Sequence, residues 1–370
     1  ARAYSERALA IQIVGLGARH PRVAQTLMTL AAIASNATHY AESLAYAEWA
    51  RAIYLEDHGP DSPGVAAADE SVAAVLRLQG RLDDALRRQQ AALAVLETQA
   101  NDRDELVRSL SGMGAILLES GRYAAALPFM DRAVAMADRL RSPNTFLLRQ
   151  ALVIRTNIAY QLGLDDVALA DAERLVAINE AAGVRFHPGI AAALAIVARV
   201  RLARGDQGAA LEAARRALAA GEKSVGPQSP FVTAPLLALG DLLQARGAYA
   251  EALADYTRAL AIYQHDMPDN PELGDSLTGI GECQLGLHRT RAAVATLERS
   301  LDFLVRRPGP SERLAHARIA LARALLSARQ DRARARELAE EARDGYLAAG
   351  GARHAAEAHA VARQLAAWRP

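Results

Sequence analysis

The chain has 370 residues, with 43 basic against 42 acidic side chains and a formal net charge of +1. That balance excludes the basic footprint of a nucleic-acid binder. Hydrophobic residues make up 51% and charged residues 23%, as in ordinary folded proteins, but aromatics are only 5%, so alanine and leucine must do most of the packing.

Read in chain order, the sequence opens in the second half of a structural unit, because Ala8 lies 42 residues before Ala50. Residues 1–16 are therefore expected to be a lone second helix, and the sequence reads as continuing on its N-terminal side. A 42-residue beat then follows. Glycine marks it at Gly80, Gly121, Gly163, Gly205 and Gly247, and extending it outward lands on Thr38, His288 and Gln330. A period of this length indicates one supersecondary unit copied in tandem.

Units are expected to start near residues 20, 62, 102, 142, 187, 229, 270 and 309. His20-Pro21, Ser62-Pro63, Ser142-Pro143, His187-Pro188, Ser229-Pro230, Asn270-Pro271 and Gly309-Pro310 place proline where a first helical residue belongs, since its missing N–H would be unpaired there anyway. The remaining unit offers Asn101, Asp102 and Arg103 as its cap region. Each marker then falls in the turn between two antiparallel helices, where a left-handed backbone suits glycine.

Small residues recur five past each marker (Ser43, Ala85, Ala126, Ala168, Ala210, Ala252, Ala293, Ala335). They recur again twelve past it, at Ala50, Ala92, Ala133, Ala217, Ala259, Ser300 and Ala342, with Leu175 as the bulky exception. Seven residues span two helical turns, so each pair shares one face and forms a close seam. Seven before the markers stand Ala31, Ala73, Gly114, Thr156, Ala198, Gly240 and Gly281, a set that Arg323 breaks. Pro128 is expected in or near the first turn of its helix, where it is tolerable. After Gly350-Gly351, residues 350–370 read as a terminal helix whose apolar side, Val361, Leu365 and Trp368, caps the stack.

The chemistry of catalysis is missing. No G-x-S-x-G, H-E-x-x-H or P-loop pattern occurs, so no catalytic residue and no cofactor are expected. Gly112-Met113-Gly114 and Gly279-Ile280-Gly281 lie inside first helices with no preceding strand, which argues against a phosphate cradle. Adjacent carboxylates (Asp83-Asp84, Asp165-Asp166, Glu340-Glu341) read as solvated surface or turn residues. His354 and His359 are off the i, i+4 spacing, so they read as solvent-exposed and not as metal ligands. Cys283 is the sole cysteine, which rules out an intrachain disulfide. With no run near the ~18 apolar residues of a membrane helix and no signal peptide, a cytoplasmic location and no membrane partner are expected.

The Gly–Ala–Ala spacing resembles the tetratricopeptide repeat, and the 42-residue length resembles its kinesin-light-chain type. The resemblance covers nearly the whole chain. It implies an all-α, right-handed superhelical solenoid of antiparallel helix pairs, about eight and a half repeats over residues 1–349, with first helices lining a concave groove. The groove positions that follow are 13, 10, 6 and 3 before each marker. Among them Gln25, Met28, Arg77, Arg108, Gln150, Asn157, Tyr160, Arg199, Asp241, Gln244, Asp275 and Glu282 are the candidate partner-binding residues, whereas Ala317, Ala320, Ala324 and Ser327 leave the eighth unit nearly featureless. Arg77, Arg108 and Arg199 would make the groove basic towards its middle, and Asp241, Asp275 and Glu282 acidic towards its C-terminal part. Asn157 offers an amide to a peptide backbone, and Tyr160 a flat contact one turn on.

The expected function is a protein-interaction scaffold that holds a peptide or partner helix, as a regulatory module of a larger protein. Two alternatives are a peptide-sensing receptor that changes shape and a self-associating structural module; the oligomeric state is left open. The arginine- and alanine-rich units are also similar to arrays that follow the catalytic domain of some bacterial serine/threonine protein kinases.

Overall fold

The computed structural model describes residues 1–98, 103–139, 145–181, 188–307 and 309–368. The expected helix starts at residues 101–103, Ser142-Pro143 and His187 lie outside the described side chains. Among the described residues there are eighteen α-helices and no strand.

A lone helix, α1 (Arg2–Leu16), precedes the pairs α2 (Pro21–Asn36) with α3 (Tyr40–His58) and α4 (Pro63–Leu78) with α5 (Leu82–Thr98). The next pairs are α6 (Arg103–Glu119) with α7 (Tyr123–Ala137), α8 (Thr145–Leu162) with α9 (Asp165–Ala181), and α10 (Pro188–Ala203) with α11 (Gln207–Val225). The series continues with α12 (Thr233–Ala245) and α13 (Tyr249–Asp266), α14 (Glu272–Gly286) and α15 (Thr290–Arg306), α16 (Ser311–Ser327) and α17 (Arg332–Ala349). The final helix is α18 (Gly351–Ala367). This is a helical solenoid of consecutive pairs.

The seam residues behave as their spacing requires. All eight positions five past the markers, from Ser43 to Ala335, have no exposed surface, and the eight that follow seven residues later, Leu175 included, are equally buried. Small side chains here let the first helix of the pair sit close. Where the seam carries a hydroxyl, a carbonyl satisfies it: Ser43 donates to Ala31 O at 2.8 Å, and Ser300 to Gly274 O at 2.9 Å. A buried hydroxyl without such a partner would cost about 1–3 kcal/mol.

The turns carry the expected backbone sign. Gly80, Gly121, Gly163, Gly205 and Gly247 have φ between 70° and 82°, and Thr38 and His288 adopt φ of 61° and 60° without being glycine. The last marker differs from the expectation. Positive φ falls on Arg329 (φ 54°), not on Gln330. The turn is one residue longer, and Asp331 then caps α17 by accepting from Arg334 N at 2.9 Å. Counting back from Arg329 puts Ala322, fully buried, seven residues upstream. The small-residue set is thereby restored, and Arg323 no longer breaks it.

Helix starts follow the proline signals with local shifts. His20 Nδ1, Ser62 Oγ and Asn270 Oδ1 accept from the amides of Arg22, Val65 and Glu272. Pro230 opens a short 3-10 turn before α12, and Pro271 and Pro310 stand one residue before their helices. Pro128 lies in the second turn of α7, adjacent to the first.

The chain divides into two compact units, residues 1–120 with 128–151, and residues 121–127 with 152–370. In the first, Asp69 is buried between neighbouring helices and accepts from Arg51 Nε and Arg88 Nη1, each at 2.8 Å. In the second, α18 packs Val361 and Leu365 into the core of Ala339, Ala342 and Tyr346, with Trp368 against its edge.

The same helix also reaches far upstream within the second unit. Arg353 of α18 donates to Tyr160 O at 2.8 Å and to Asp165 Oδ1 at 2.6 Å, and its guanidinium lies 4.1 Å from the Tyr160 ring centre. Asp165 is thus paired and not simply solvated. His354 corrects the expectation of exposure. It is only 4% exposed, its Nδ1 is 2.8 Å from Gly350 O, and its ring lies beside those of Tyr123 and Tyr346. His359 is exposed, as expected.

Candidate peptide-binding recess

The first helices α10, α12, α14 and α16 of the second unit pack side by side, each against the next. Residues six before the successive turn markers therefore line up along one wall. They are Arg199, Asp241, Glu282 and, with the corrected register, Arg323. Arg199 Nε meets Asp241 Oδ2 at 3.1 Å, and Arg323 Nη1 lies 3.6 Å from Glu282 Oε1.

Between these pairs is a recess of about 510 Å³. It is lined by Asp241, Gln244 and Ala245 of α12, Glu282, Leu285 and Gly286 of α14, His316, Ala320 and Arg323 of α16, and Tyr249 and Tyr256 of α13. Tyr256 donates to Asp241 Oδ1 at 2.7 Å. Gln244 Nε2 donates to Glu282 Oε2 at 2.9 Å, and His316 Nε2 is 3.3 Å from the same oxygen.

The electrostatics follow from these neighbours. Burial alone would raise the Glu282 carboxyl, but His316, Gln244 and Arg323 outweigh it and hold the group down at about 2. Burial alone would lower His316, yet Glu282, with Asp275 and Asp241 behind it, raises it to about 9. Nearly half of the His316 side chain stays exposed (47%), so water screens part of that pull. Burial, with Glu282 and Asp241 adding to it, pushes the Cys283 thiol up to about 12, which leaves it a poor nucleophile.

Of the twelve candidate residues, the structure gathers Asp241, Gln244 and Glu282 at this recess. Arg199 stands directly behind it. Asp275 is drawn into a separate ion pair with Arg313, beside Glu272, which accepts from Tyr263 Oη at 2.5 Å. Asn157 spends one amide hydrogen on Val153 O of its own helix at 2.9 Å, and Tyr160 is covered by Arg353. In the first unit, Gln25, Arg108 and Gln150 are exposed, Met28 is part-buried against Val23 and Leu27, and Arg77 pairs with Glu119.

The expected polarity from basic middle to acidic end does not survive this pairing. Arg199 neutralises Asp241, Arg313 neutralises Asp275, and His316 and Arg323 face Glu282. The eighth unit appeared featureless only because its register was counted from Gln330: Ala317, Ala320 and Ala324 are fully buried, and His316 and Arg323 take the wall positions instead.

Tyr249 and Tyr256 lie on a second helix and so escaped a search of first-helix positions. A signal for them was present in the glycines. A Cβ on Gly286 would lie 2.6 Å from the Tyr249 ring, and one on Gly279 or Gly240 would lie 2.6 Å or 2.8 Å from the Tyr256 ring. Glycine inside a helix costs about 1 kcal/mol against alanine, so a close neighbour is its physical reason. Among the described residues, no cluster of three or more His, Cys, Asp or Glu side chains is placed to hold a metal ion, and no helix is long and apolar enough to cross a membrane.

A tetratricopeptide-repeat family model matches residues 64–139 and 232–304, two helix pairs each. These are tetratricopeptide repeats. Among solved structures, the repeat array is similar to a Rap conjugation gene regulator of plasmid pLS20 in complex with the Phr* peptide, at 12% identity, 94% coverage of both chains and TM-score 0.65. It is also similar to a Rap protein complexed with competence and sporulation factor, at 13% identity, covering 94% of this chain and 99% of that one, TM-score 0.62. A third similar structure is a signal transduction ATPase with a tetratricopeptide repeat sensor from Pyrococcus horikoshii, at 12% identity, 88% and 52% coverage, TM-score 0.50. At these identities the likeness is one of fold. No curated protein matches the chain in sequence.

Proposed function

We propose that the chain is a protein-interaction module whose first-helix wall holds a peptide segment. The observation that carries this reading is the recess itself, where polar groups from three successive repeats converge beside the part-exposed side chains of Leu285 and Tyr249. Rap proteins of the same fold have been solved with a peptide or a competence factor bound, which supports the reading. No catalytic role, cofactor or nucleic-acid partner is part of it, and a cytoplasmic setting is the one that suits it.

A second reading, a peptide sensor whose shape responds to its ligand, is favoured by one contact. Tyr160, a first-helix wall residue, is clasped by Arg353 of α18. A ligand that competes for Tyr160 would loosen that contact.

The test is hydrogen exchange on the whole chain, before and after incubation with peptides from a protease-digested host lysate. Slowed exchange in residues 233–245, 272–286 and 311–327 is expected. Protection confined to second helices, or none at any peptide concentration, would overturn the reading.

A further inference from the structure

The turns of the last three helix pairs carry arginines that meet no carboxylate. Arg246 stands in the α12–α13 turn, Arg289 and Arg291 at the α14–α15 turn, and Arg329 and Arg332 at the α16–α17 turn. All five are exposed, and among the described residues none of them forms an ion pair. By contrast, Arg81 of the α4–α5 turn and Arg204 of the α10–α11 turn hold Asp84 and Asp166, each at 2.6 Å. The pairs pack in sequence, α13 on α14 and α15 on α16, so the three turns stand side by side along one edge, about 10 Å apart. Within these turns and the first turns of the helices that follow, the carboxylates are Glu251 and Asp331. Arg334 is paired with Glu298, so five arginines against two carboxylates give the edge a net charge of +3.

Two of the turns hold these side chains at a local cost. Arg329 itself takes a left-handed φ of 54°, and His288, next to Arg289, one of 60°, where five other turns place glycine. A cation at a helix N-terminus also opposes the helix dipole. Yet α15 and α17 have no acidic residue in their first turns, whereas α5 and α9 have two each. Side chains that strain the backbone and oppose the dipole, with no partner inside the fold, point to a partner outside it.

We propose that this turn edge docks an acidic, extended segment of a partner protein, with Asp or Glu at about every third position. About three extended residues span the spacing of about 10 Å between neighbouring turns. The guanidinium fork suits carboxylates, and the surplus charge supplies the complementarity that orients such a segment. Two other anionic partners fit less well. Among the described side chains of these turns, no large apolar one is exposed to enter a bilayer. The formal net charge of +1 over the chain is not the footprint of a nucleic-acid binder. None of the five arginines lines the recess, so the proposal stands independently of the peptide reading above.

A fluorescein-labelled probe of four Glu-Gly-Ser units and its Gln-Gly-Ser counterpart are titrated with the whole chain and read by anisotropy. Binding of the Glu probe alone is expected, and it should weaken as salt rises from about 50 mM to about 300 mM. The Arg289→Gln, Arg329→Gln double variant should bind about tenfold more weakly, as the loss of two exposed ion pairs implies. Arg299→Gln, at an exposed site further along α15, should leave binding within about twofold. Circular dichroism checks that the variants stay helical. No binding of the Glu probe, equal binding of the Gln probe, or equal losses in the double variant and Arg299→Gln would overturn the proposal. So would binding of phosphatidylserine vesicles or a single-stranded oligonucleotide through Arg289 and Arg329 in place of the Glu probe, since the edge would then serve a membrane or a nucleic acid.

Discussion

Arg199 and Asp241 occupy the same position in successive repeats, 42 residues apart, and form an ion pair with Nε 3.1 Å from Oδ2. One repeat along, Glu282 and Arg323 restate the relationship with the signs reversed. The wall is therefore stitched across repeat boundaries by side chains at equivalent positions. Because Asp241 keeps 40% of its side chain exposed, the coupling is expected to be small, about 0.5–1 kcal/mol. A double-mutant cycle of Arg199→Gln and Asp241→Asn by urea unfolding measures it. Additive losses would mean that the pair contributes nothing to repeat stacking.

The turn markers allow a cleaner measurement. His288 holds φ 60° without being glycine, at a cost of about 1–2 kcal/mol, while a glycine there adds unfolded-state entropy. His288→Gly is expected to stabilise the chain by about 0.5 kcal/mol on balance. Gly247→Ala is expected to destabilise it by about 1 kcal/mol. A Cβ at Gly247 meets nothing within 4 Å, so its cost is conformational alone. Midpoints of urea unfolding at unchanged slope decide both.

Those turns also mark how far the sequence could be read. The period, the buried alanine pairs and the left-handed markers were legible because each depends only on contacts inside one repeat. The last register was not, since Arg329 and Gln330 carry no glycine to separate them, and the error hid His316 and Arg323. The neutralisation of Asp275 was equally invisible: Arg313 lies 38 residues on, outside the four first-helix positions that were tracked. The meeting of Arg353 with Tyr160 depends on how successive repeats turn, a property no single repeat displays.

Stability should depend on pH through Glu282 and His316. The folded Glu282 carboxyl, near 2, lies below its ordinary 4.5, so its stabilisation is present above 4.5 and is lost as pH falls towards 2. His316, raised from 6.5 to about 9, stabilises fully below 6.5, and that contribution is lost as pH rises through 9. The two shifts report one shared contact and must not be added. His316→Gln is expected to flatten the alkaline limb of a melting-temperature profile between pH 6.5 and 9, relative to the unaltered chain. Parallel profiles would show that recess water screens the pair completely.

The clasp of α18 on the α8–α9 turn is the contact most open to removal. Arg353 is four-fifths buried and engages Asp165, the Tyr160 carbonyl and the Tyr160 ring at once. Backbone contact is equally tight, since a Cβ on Gly163 would lie 3.2 Å from Arg353 N. Arg353→Ala leaves Asp165 without its nearest cation and uncovers Tyr160, at an expected cost of about 1–3 kcal/mol. The loss should be local first: amide exchange across residues 160–165 should accelerate, while α12 through α15 remain protected. Were exchange to rise uniformly along the second unit, α18 would be a keystone of the whole solenoid, and a ligand acting on Tyr160 could not loosen this contact alone.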